Sequence, residues 1–234
     1  MDYQFVAVGL SPVLLAQGIY VRLVTPRLPE PAGVRHGVEG AGKSLRLLIV
    51  GDSAAAGVGA ESQVSALSGR LASMLAPHFH LSWWLIAKTG HKVRDVLNSI
   101  ESVSQEDFDV AVVSVGVNDV TGGTSLKKWQ ELLSHLCERL QSRFEIQHIF
   151  LTSIPPMQIF PALPLPLRWY LGKRAESFNQ AMRDLTKKSE NWEYVQPEFP
   201  LTREFIAADG FHPSPAAYSI WAEHMAVAIR QEWQ

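Results

Sequence analysis

The chain has 234 residues, which is long enough for one large domain with a two-sided core and short for two. Apolar residues make up 47% of it and the formal net charge is -2, so it reads as a globular protein without the basic excess of a nucleic-acid-binding protein. The single cysteine, Cys137, cannot form an internal disulfide. This fits a reducing compartment, and we therefore expect a cytoplasmic protein.

The first feature along the chain is an apolar run over residues 5–16 that contains Pro12. A membrane-spanning helix needs roughly 20 apolar residues, so this run predicts no transmembrane segment. The residues before it carry none of the basic side chains of a signal peptide. A helix packed on the surface of the main domain is the favoured interpretation, and a membrane-surface anchor is the alternative.

Residues 22–44 are rich in Pro, Gly and charge, which predicts an extended connector. We therefore divide the chain into an N-terminal segment and connector over residues 1–44, packing on the main domain, and a main domain over residues 45–234. A contribution of the leading segment to a homo-oligomer stays open.

After the connector, apolar runs alternate with amphipathic ones. Strands are predicted at residues 45–50, 81–87, 110–115, 149–153 and 192–195. Helices are predicted at residues 63–75, 93–101, 126–142, 170–188 and 215–232. This alternation predicts an α/β fold whose parallel sheet carries helices on both faces.

The first predicted strand of the main domain ends in Gly51-Asp52-Ser53. Open α/β sheets bind ligands at the carboxyl ends of their strands, so Ser53 is a candidate nucleophile. It lies where we expect a helix to begin, and the amides of a helix start favour a nearby negative charge. A serine hydroxyl is a weak nucleophile, so it needs a base, a group that orients the base, and donors for the developing oxyanion.

Three later places in the chain could supply these parts. Asp209 and His212 are three residues apart on one short turn, where the carboxylate can orient the imidazole. Asn118 follows the third predicted strand and offers an amide donor, and Gly90 follows the second and leaves a backbone N–H open to a ligand. Taken singly, each is also ordinary turn chemistry.

Taken together and in order, these blocks resemble the SGNH hydrolases, also called the GDSL esterase and lipase family. The matching blocks are Gly51-Asp52-Ser53, Gly90, Gly116-Val117-Asn118-Asp119 and Asp209-Gly210-Phe211-His212-Pro213. The resemblance spans most of the chain after the connector. It implies a three-layer α/β/α sandwich with a parallel sheet of about five strands, similar to flavodoxin. Three alanines follow Ser53 where many members carry a bulky residue and a hydroxyl.

The resemblance implies a role for each matched residue. Ser53 would be the nucleophile, His212 the general base and Asp209 the residue that orients it. The backbone N–H groups of Ser53 and Gly90 and the side-chain amide of Asn118 would form the oxyanion hole. The implied activity is hydrolysis of a small-molecule carboxylic ester through an acyl-enzyme intermediate, with no metal and no organic cofactor. Thioesterase, lysophospholipase and carbohydrate acetylesterase activities remain alternatives, as does a catalytically idle relative that binds sugars or acyl groups.

Residues 154–167 contain five prolines and cannot form a regular helix or a central strand. The segment follows the fourth predicted strand, so it lies on the carboxyl side of the sheet, where it either walls a substrate pocket or covers core. Together with the small residues after Ser53, it leads us to expect a shallow pocket and short acyl chains.

Residues 37–44 match the phosphate-binding P-loop pattern letter for letter. A P-loop follows a strand and opens a helix, whereas this stretch follows a Pro-rich segment and precedes a strand. Nucleotide binding is therefore a remote alternative.

Overall fold

The structure is a computed structural model that describes residues 3–104, 106–200 and 202–233. Within these ranges one sheet contains six strands, which are β1 (His36–Glu39), β2 (Lys43–Gly51), β3 (Phe79–Ala87), β4 (Val110–Ser114), β5 (His148–Thr152) and β6 (Trp192–Val195). The same ranges contain seven α-helices, which are α1 (Tyr3–Val24), α2 (Leu67–Leu75), α3 (Val93–Glu101), α4 (Val117–Thr121), α5 (Leu126–Phe144), α6 (Leu167–Thr186) and α7 (Pro215–Trp233).

The strand order is β1-β3-β2-β4-β5-β6, and every neighbouring pair from β3 to β6 is parallel. One face of the sheet packs against a core built with α3, α5 and α6, and the other against a core built with α2 and α7. Strand β4 is covered on both faces and buried at every position, which is why the residues before Ser114 form an unbroken apolar run. The expected three-layer α/β/α sandwich with five parallel strands is confirmed.

Helix α5 illustrates how local sequence sets these elements. The Ser125 hydroxyl accepts the backbone N–H of Lys128 and caps the start of the helix. Trp129, Leu133 and Leu140 recur at helical spacing and are fully buried against the sheet. The amphipathic pattern therefore fixes which face of the helix enters the core.

The expected connector over residues 22–44 contains a strand that the sequence did not predict. Strand β1 adds to the edge of the sheet, antiparallel to β3. Most of its side chains are exposed, so it shows none of the apolar alternation by which a half-buried strand is recognised. The P-loop-like stretch forms β1, a turn and the start of β2, and Lys43 donates to the backbone carbonyl of Trp233. No helix follows the stretch, so it does not form the strand-loop-helix arrangement of a P-loop.

Helix α1 is longer than the predicted apolar run. The helix continues past Ala16 through Gln17 and Gly18, and apolar residues resume at Ile19. Over Val6–Val24 it is long and apolar enough to cross a membrane, the one helix in the described part of the chain that meets this test. The expectation that this segment is too short for a bilayer is therefore wrong. Only 6% of the most apolar 18-residue stretch of this helix is buried in the protein.

Candidate active site

Ser53 lies just beyond the carboxyl end of β2, in a loop that begins against β4. A Cβ atom at Gly51 would lie 2.0 Å from the carbonyl oxygen of Ser114, so only glycine fits where the two strands approach. The backbone N–H of Asp52 donates to the same carbonyl oxygen, at 3.0 Å. These contacts hold the start of the nucleophile loop against the centre of the sheet.

The loop after Ser53 is a series of turns and not the predicted helix. Gly57 and Gly59 have φ angles of 93° and 101°, which are incompatible with a right-handed helix, and the next α-helix begins at Leu67. The Tyr218 hydroxyl lies 3.0 Å from the carbonyl oxygen of Ala54 and 2.8 Å from that of Val58. The loop is therefore ordered by contacts with α7 and not by its own helical hydrogen bonds.

The loop before α7 brings two further predicted residues to Ser53. The Nε2 atom of His212 lies 2.9 Å from the Ser53 Oγ atom, and its Nδ1 atom lies 2.5 Å from Asp209 Oδ2. The other carboxylate oxygen of Asp209 accepts the backbone N–H groups of Phe211 and His212, each at 3.0 Å. With Nδ1 protonated and donating to Asp209, Nε2 is free to accept the Ser53 hydroxyl proton.

A close backbone contact holds the two loops together. A Cβ atom at Gly59 would lie 2.2 Å from the carbonyl oxygen of Pro213, the residue that follows His212. The positive φ angle of Gly59 and this approach both require glycine. Gly59 thus sets how near the serine loop and the histidine loop can pack.

Two buried carboxyl groups of the site have shifted pKa values in opposite directions. Burial disfavours ionisation of Asp209, but hydrogen bonds from the side chain and backbone of His212 and from the backbone of Phe211 prevail, and its pKa lies below the usual value. Burial dominates at Asp52 and raises its pKa to about 7, although the backbone N–H of Ala54 and the nearby His212 both favour its charge. Asp209 is therefore the partner of the imidazole that is ionised at neutral pH.

Gly90 lies in the loop that leaves β3, and Asn118 lies in the short helix α4 that follows β4; these two strands flank β2. The Asn118 amide donates to the backbone carbonyl of His91 at 3.0 Å and so ties α4 to the loop that carries Gly90. Gly90 has a φ angle of 85° and open space around the position of a Cβ atom. Among the described residues, neither makes a hydrogen bond to the Ser53 side chain.

The loop that carries Gly90 is held by residues that the sequence interpretation assigned only to the connector. The Glu30 carboxylate accepts the backbone N–H of Thr89 at 2.6 Å and the Arg35 guanidinium at 2.5 Å. Arg35 also donates to the carbonyl oxygen of Ala87, at the end of β3. In the sequence, Glu30 stands out only as an acidic residue between two prolines. That pattern does not indicate that it accepts a hydrogen bond from Thr89, 59 residues further along the chain.

Ser53 and His212 open into a cavity of about 590 Å³. The Pro-rich segment contributes the wall from Ile154 to Phe160, and α6 together with residues 196–200 and 202–206 contributes much of the remainder. The Asn179 side chain bonds both the N–H and the carbonyl of Ile154, which fixes the start of this wall. The Pro-rich segment packs directly on α6, where a Cβ atom at Gly172 would lie 2.7 Å from the Gln158 side chain, and it forms one wall of a cavity that is larger than the expected shallow pocket.

The chain is similar to several known proteins. It is 26% identical over 246 aligned residues to a GDSL-like esterase of Mycobacterium tuberculosis, covering 95% of this chain and 77% of that one. An acetylxylan esterase from Geobacillus stearothermophilus superposes with a TM-score of 0.59 at 19% identity, over 80% of this chain and 95% of that one. A psychrotrophic esterase from Pseudoalteromonas sp. superposes with a TM-score of 0.60 at 18% identity, over 80% and 97%. At these identities the two solved structures establish a shared fold alone.

The sequence profile of the GDSL-like Lipase/Acylhydrolase family matches residues 49–220. This range is most of the chain, and it contains Ser53, Gly90, Asn118, Asp209 and His212. The protein belongs to the GDSL-like lipase/acylhydrolase family, and with it to the hydrolases that act on esters.

Proposed function

We propose that the protein is a serine esterase that forms an acyl-enzyme intermediate on Ser53. The observation that carries the proposal is the hydrogen-bonded series from Ser53 Oγ through the His212 imidazole to the Asp209 carboxylate. This is the arrangement that a hydroxyl needs in order to act as a nucleophile, since a base takes its proton and a third group orients the base.

In the first step, Ser53 Oγ attacks the ester carbonyl carbon while His212 Nε2 takes the hydroxyl proton. Asp209 stabilises the imidazolium that forms and keeps its Nδ1 proton in place. Collapse of the tetrahedral intermediate breaks the bond to the alcohol oxygen, which receives the proton from His212. In the second step, His212 takes a proton from water, the hydroxide attacks the acyl group, and the acid leaves as Ser53 Oγ regains its proton.

The negative charge of the tetrahedral intermediate requires donors on the far side of the carbonyl. We assign this role to the backbone N–H groups of Ser53 and Gly90 and to the Asn118 amide. Asn118 Nδ2 carries two hydrogens and donates one of them to His91, which leaves the other for an oxyanion. The positive φ angle and open surroundings of Gly90 allow a ligand to approach its N–H closely.

The cavity bears on the substrate. Its 590 Å³ falls within the usual range for sites that enclose small organic ligands. Since a water molecule occupies roughly 30 Å³ in the liquid, a cavity of this volume has room for an acyl chain of medium length. The walls are largely apolar, with Ile159, Phe160, Phe199 and Phe211 among them. We therefore extend the expected substrates from short acyl esters to medium-chain esters, and keep thioesters and lysophospholipids as alternatives.

A series of p-nitrophenyl esters from acetate to palmitate tests both parts of the proposal. Ser53→Ala should reduce turnover to the uncatalysed rate, whereas Ser73→Ala, which removes an exposed hydroxyl on α2, should leave it unchanged. A fluorophosphonate probe should label the wild type and Ser73→Ala and not Ser53→Ala. Retained turnover by Ser53→Ala would refute the nucleophile, an unlabelled wild type would favour a catalytically idle relative, and a profile confined to acetate would refute the medium-chain assignment.

A further inference from the structure

Helix α1 presents an apolar surface to solvent along its whole length. We call this surface the outer face of α1 and define it by Val8, Leu15, Ile19 and Leu23. These side chains are 62–79% exposed, and no other helix in the described part of the chain exposes as many large apolar residues. An apolar surface of this extent marks a binding surface in a folded protein.

The opposite side of α1 belongs to the protein body. Leu14 is buried in the same core as α5 and α6. The Gln17 side chain donates to the carbonyl oxygen of Leu165 at 2.7 Å and accepts the backbone N–H of Leu167 at 3.0 Å. The helix is therefore fixed on one side, and only its outer face is free to contact a partner.

The dimensions and charges of α1 fit a lipid bilayer. The helix has 22 residues and is about 33 Å long. It carries no charged side chain before Arg22, and Arg27 follows shortly after its end. A surface helix usually has a polar side because that side faces water. A helix that lies between a protein core and lipid has no side in water, which explains why both sides of α1 are apolar. Basic residues at one end suit the anionic groups of a membrane surface.

We propose that the outer face of α1 binds a lipid bilayer, with the helix lying along the membrane surface while its inner side stays on the protein. A subunit interface of the same size would carry a polar rim around its apolar centre, whereas α1 carries no charged side chain before Arg22. Leu165 is itself 68% exposed beside Gln17 and extends the apolar surface. Leu165 lies near the end of the same Pro-rich segment whose beginning lines the cavity, so α1 contacts the segment that forms part of the cavity wall.

Flotation of the full chain with vesicles of phosphatidylcholine and phosphatidylglycerol tests the proposal without any reliance on esterase activity. The wild type should float with the vesicles. Leu15→Glu and Ile19→Glu should each lower the bound fraction about tenfold or more, because a charge replaces an apolar contact with lipid. The matched control is Val64→Glu, at a side chain that is 78% exposed on the body, and it should float like the wild type.

Circular dichroism establishes that each variant is folded, and a variant that is not folded is replaced by Leu15→Gln or Ile19→Gln. A wild type that remains with the soluble fraction overturns the proposal, as does equal flotation of the folded outer-face variants. A soluble wild-type dimer that Ile19→Glu dissociates would assign the face to a second copy of the chain instead.

The orientation of the helix is tested with three single variants, Val8→Cys, Leu15→Cys and Leu23→Cys, each labelled with an environment-sensitive dye. Cys137 is buried and does not compete for the label. Depth-dependent quenchers should place the three dyes at a similar shallow depth. A dye at Leu15 much deeper than those at Val8 and Leu23 would mean that α1 crosses the bilayer, which overturns the surface orientation.

Discussion

The His212 Nε2 atom lies 2.9 Å from the Ser53 Oγ atom, although 159 residues separate them in the chain. Neither loop forms this contact alone. Tyr218, at the start of α7, bonds the serine loop, and Gly59 of the serine loop packs on the backbone of the histidine loop. The geometry of the site therefore depends on how α7 docks on the sheet, and it should respond to changes in residues that support the loops as well as in those that react.

Asp209→Asn should lower kcat by about 10⁴. The asparagine oxygen can still accept the backbone N–H groups of Phe211 and His212, but its NH₂ group would then face Nδ1 and favour the wrong tautomer of the imidazole. Turnover of a p-nitrophenyl ester measures the effect, with the exposed Asp184→Asn as control. A loss smaller than about tenfold in a folded variant would show that Asp209 does not orient the base.

Asn118→Ala should lower kcat by about 10²–10³, the usual effect of removing one oxyanion donor. KM should change little, because the donor acts on charge that develops only in the transition state. Asn98→Ala, at an exposed position on α3, is the matched control. An unchanged kcat for Asn118→Ala would remove this residue from the oxyanion hole.

Glu30→Ala should slow turnover up to about tenfold although Glu30 belongs to none of the sequence blocks of the family. The change leaves the Thr89 N–H and the Arg35 guanidinium without their acceptor, so the loop that carries Gly90 is less firmly positioned. Glu30→Gln keeps an acceptor for Thr89 and should recover most of the rate. That recovery, together with normal activity of the exposed Glu61→Ala, separates positioning from a general loss of stability.

Sequence patterns predicted the buried strands, the amphipathic helices and the residues at the ends of the strands. The bounds of α3 and β6 agree with the prediction, since an amphipathic helix of two and a half turns and a short strand with aromatic and β-branched residues both have clear limits. The reactive residue types could be identified because each lies in a loop that follows a strand or precedes a helix. Their distances could not be predicted, because those depend on contacts such as the one between Gly59 and Pro213.

The features that the sequence did not predict are either exposed to solvent or held by residues distant in the chain. Strand β1 is largely exposed, and the turns after Ser53 are held by the hydroxyl of Tyr218, far along the chain. Helix α1 was expected to end near Ala16, because Gln17 looks like an interruption in an apolar run. In the structure, the Gln17 side chain donates to the carbonyl oxygen of Leu165 and accepts the backbone N–H of Leu167, so a polar side chain is accommodated inside an apolar helix.

Asp52→Asn should stabilise the protein at neutral pH and above. The Asp52 carboxyl group is buried beneath Ser53, and burial raises its pKa to about 7. An unfolded chain ionises this group near pH 4, so between about pH 4 and pH 7 the folded state binds a proton that the unfolded state has lost. Stability of the wild type therefore falls across this range, by up to about 4 kcal/mol, and stays lower at higher pH.

The neutral asparagine lacks this titration, and its oxygen can still accept the Ala54 N–H that Asp52 accepts at 3.0 Å. Urea unfolding at pH 5 and pH 8 should therefore show a gain for Asp52→Asn that is larger at pH 8. Asp107→Asn, at an exposed carboxylate, should show no such growth with pH. If the difference between Asp52→Asn and the wild type were the same at both pH values, Asp52 would be ionised throughout the folded state and the stabilising contacts around it would have to outweigh its burial.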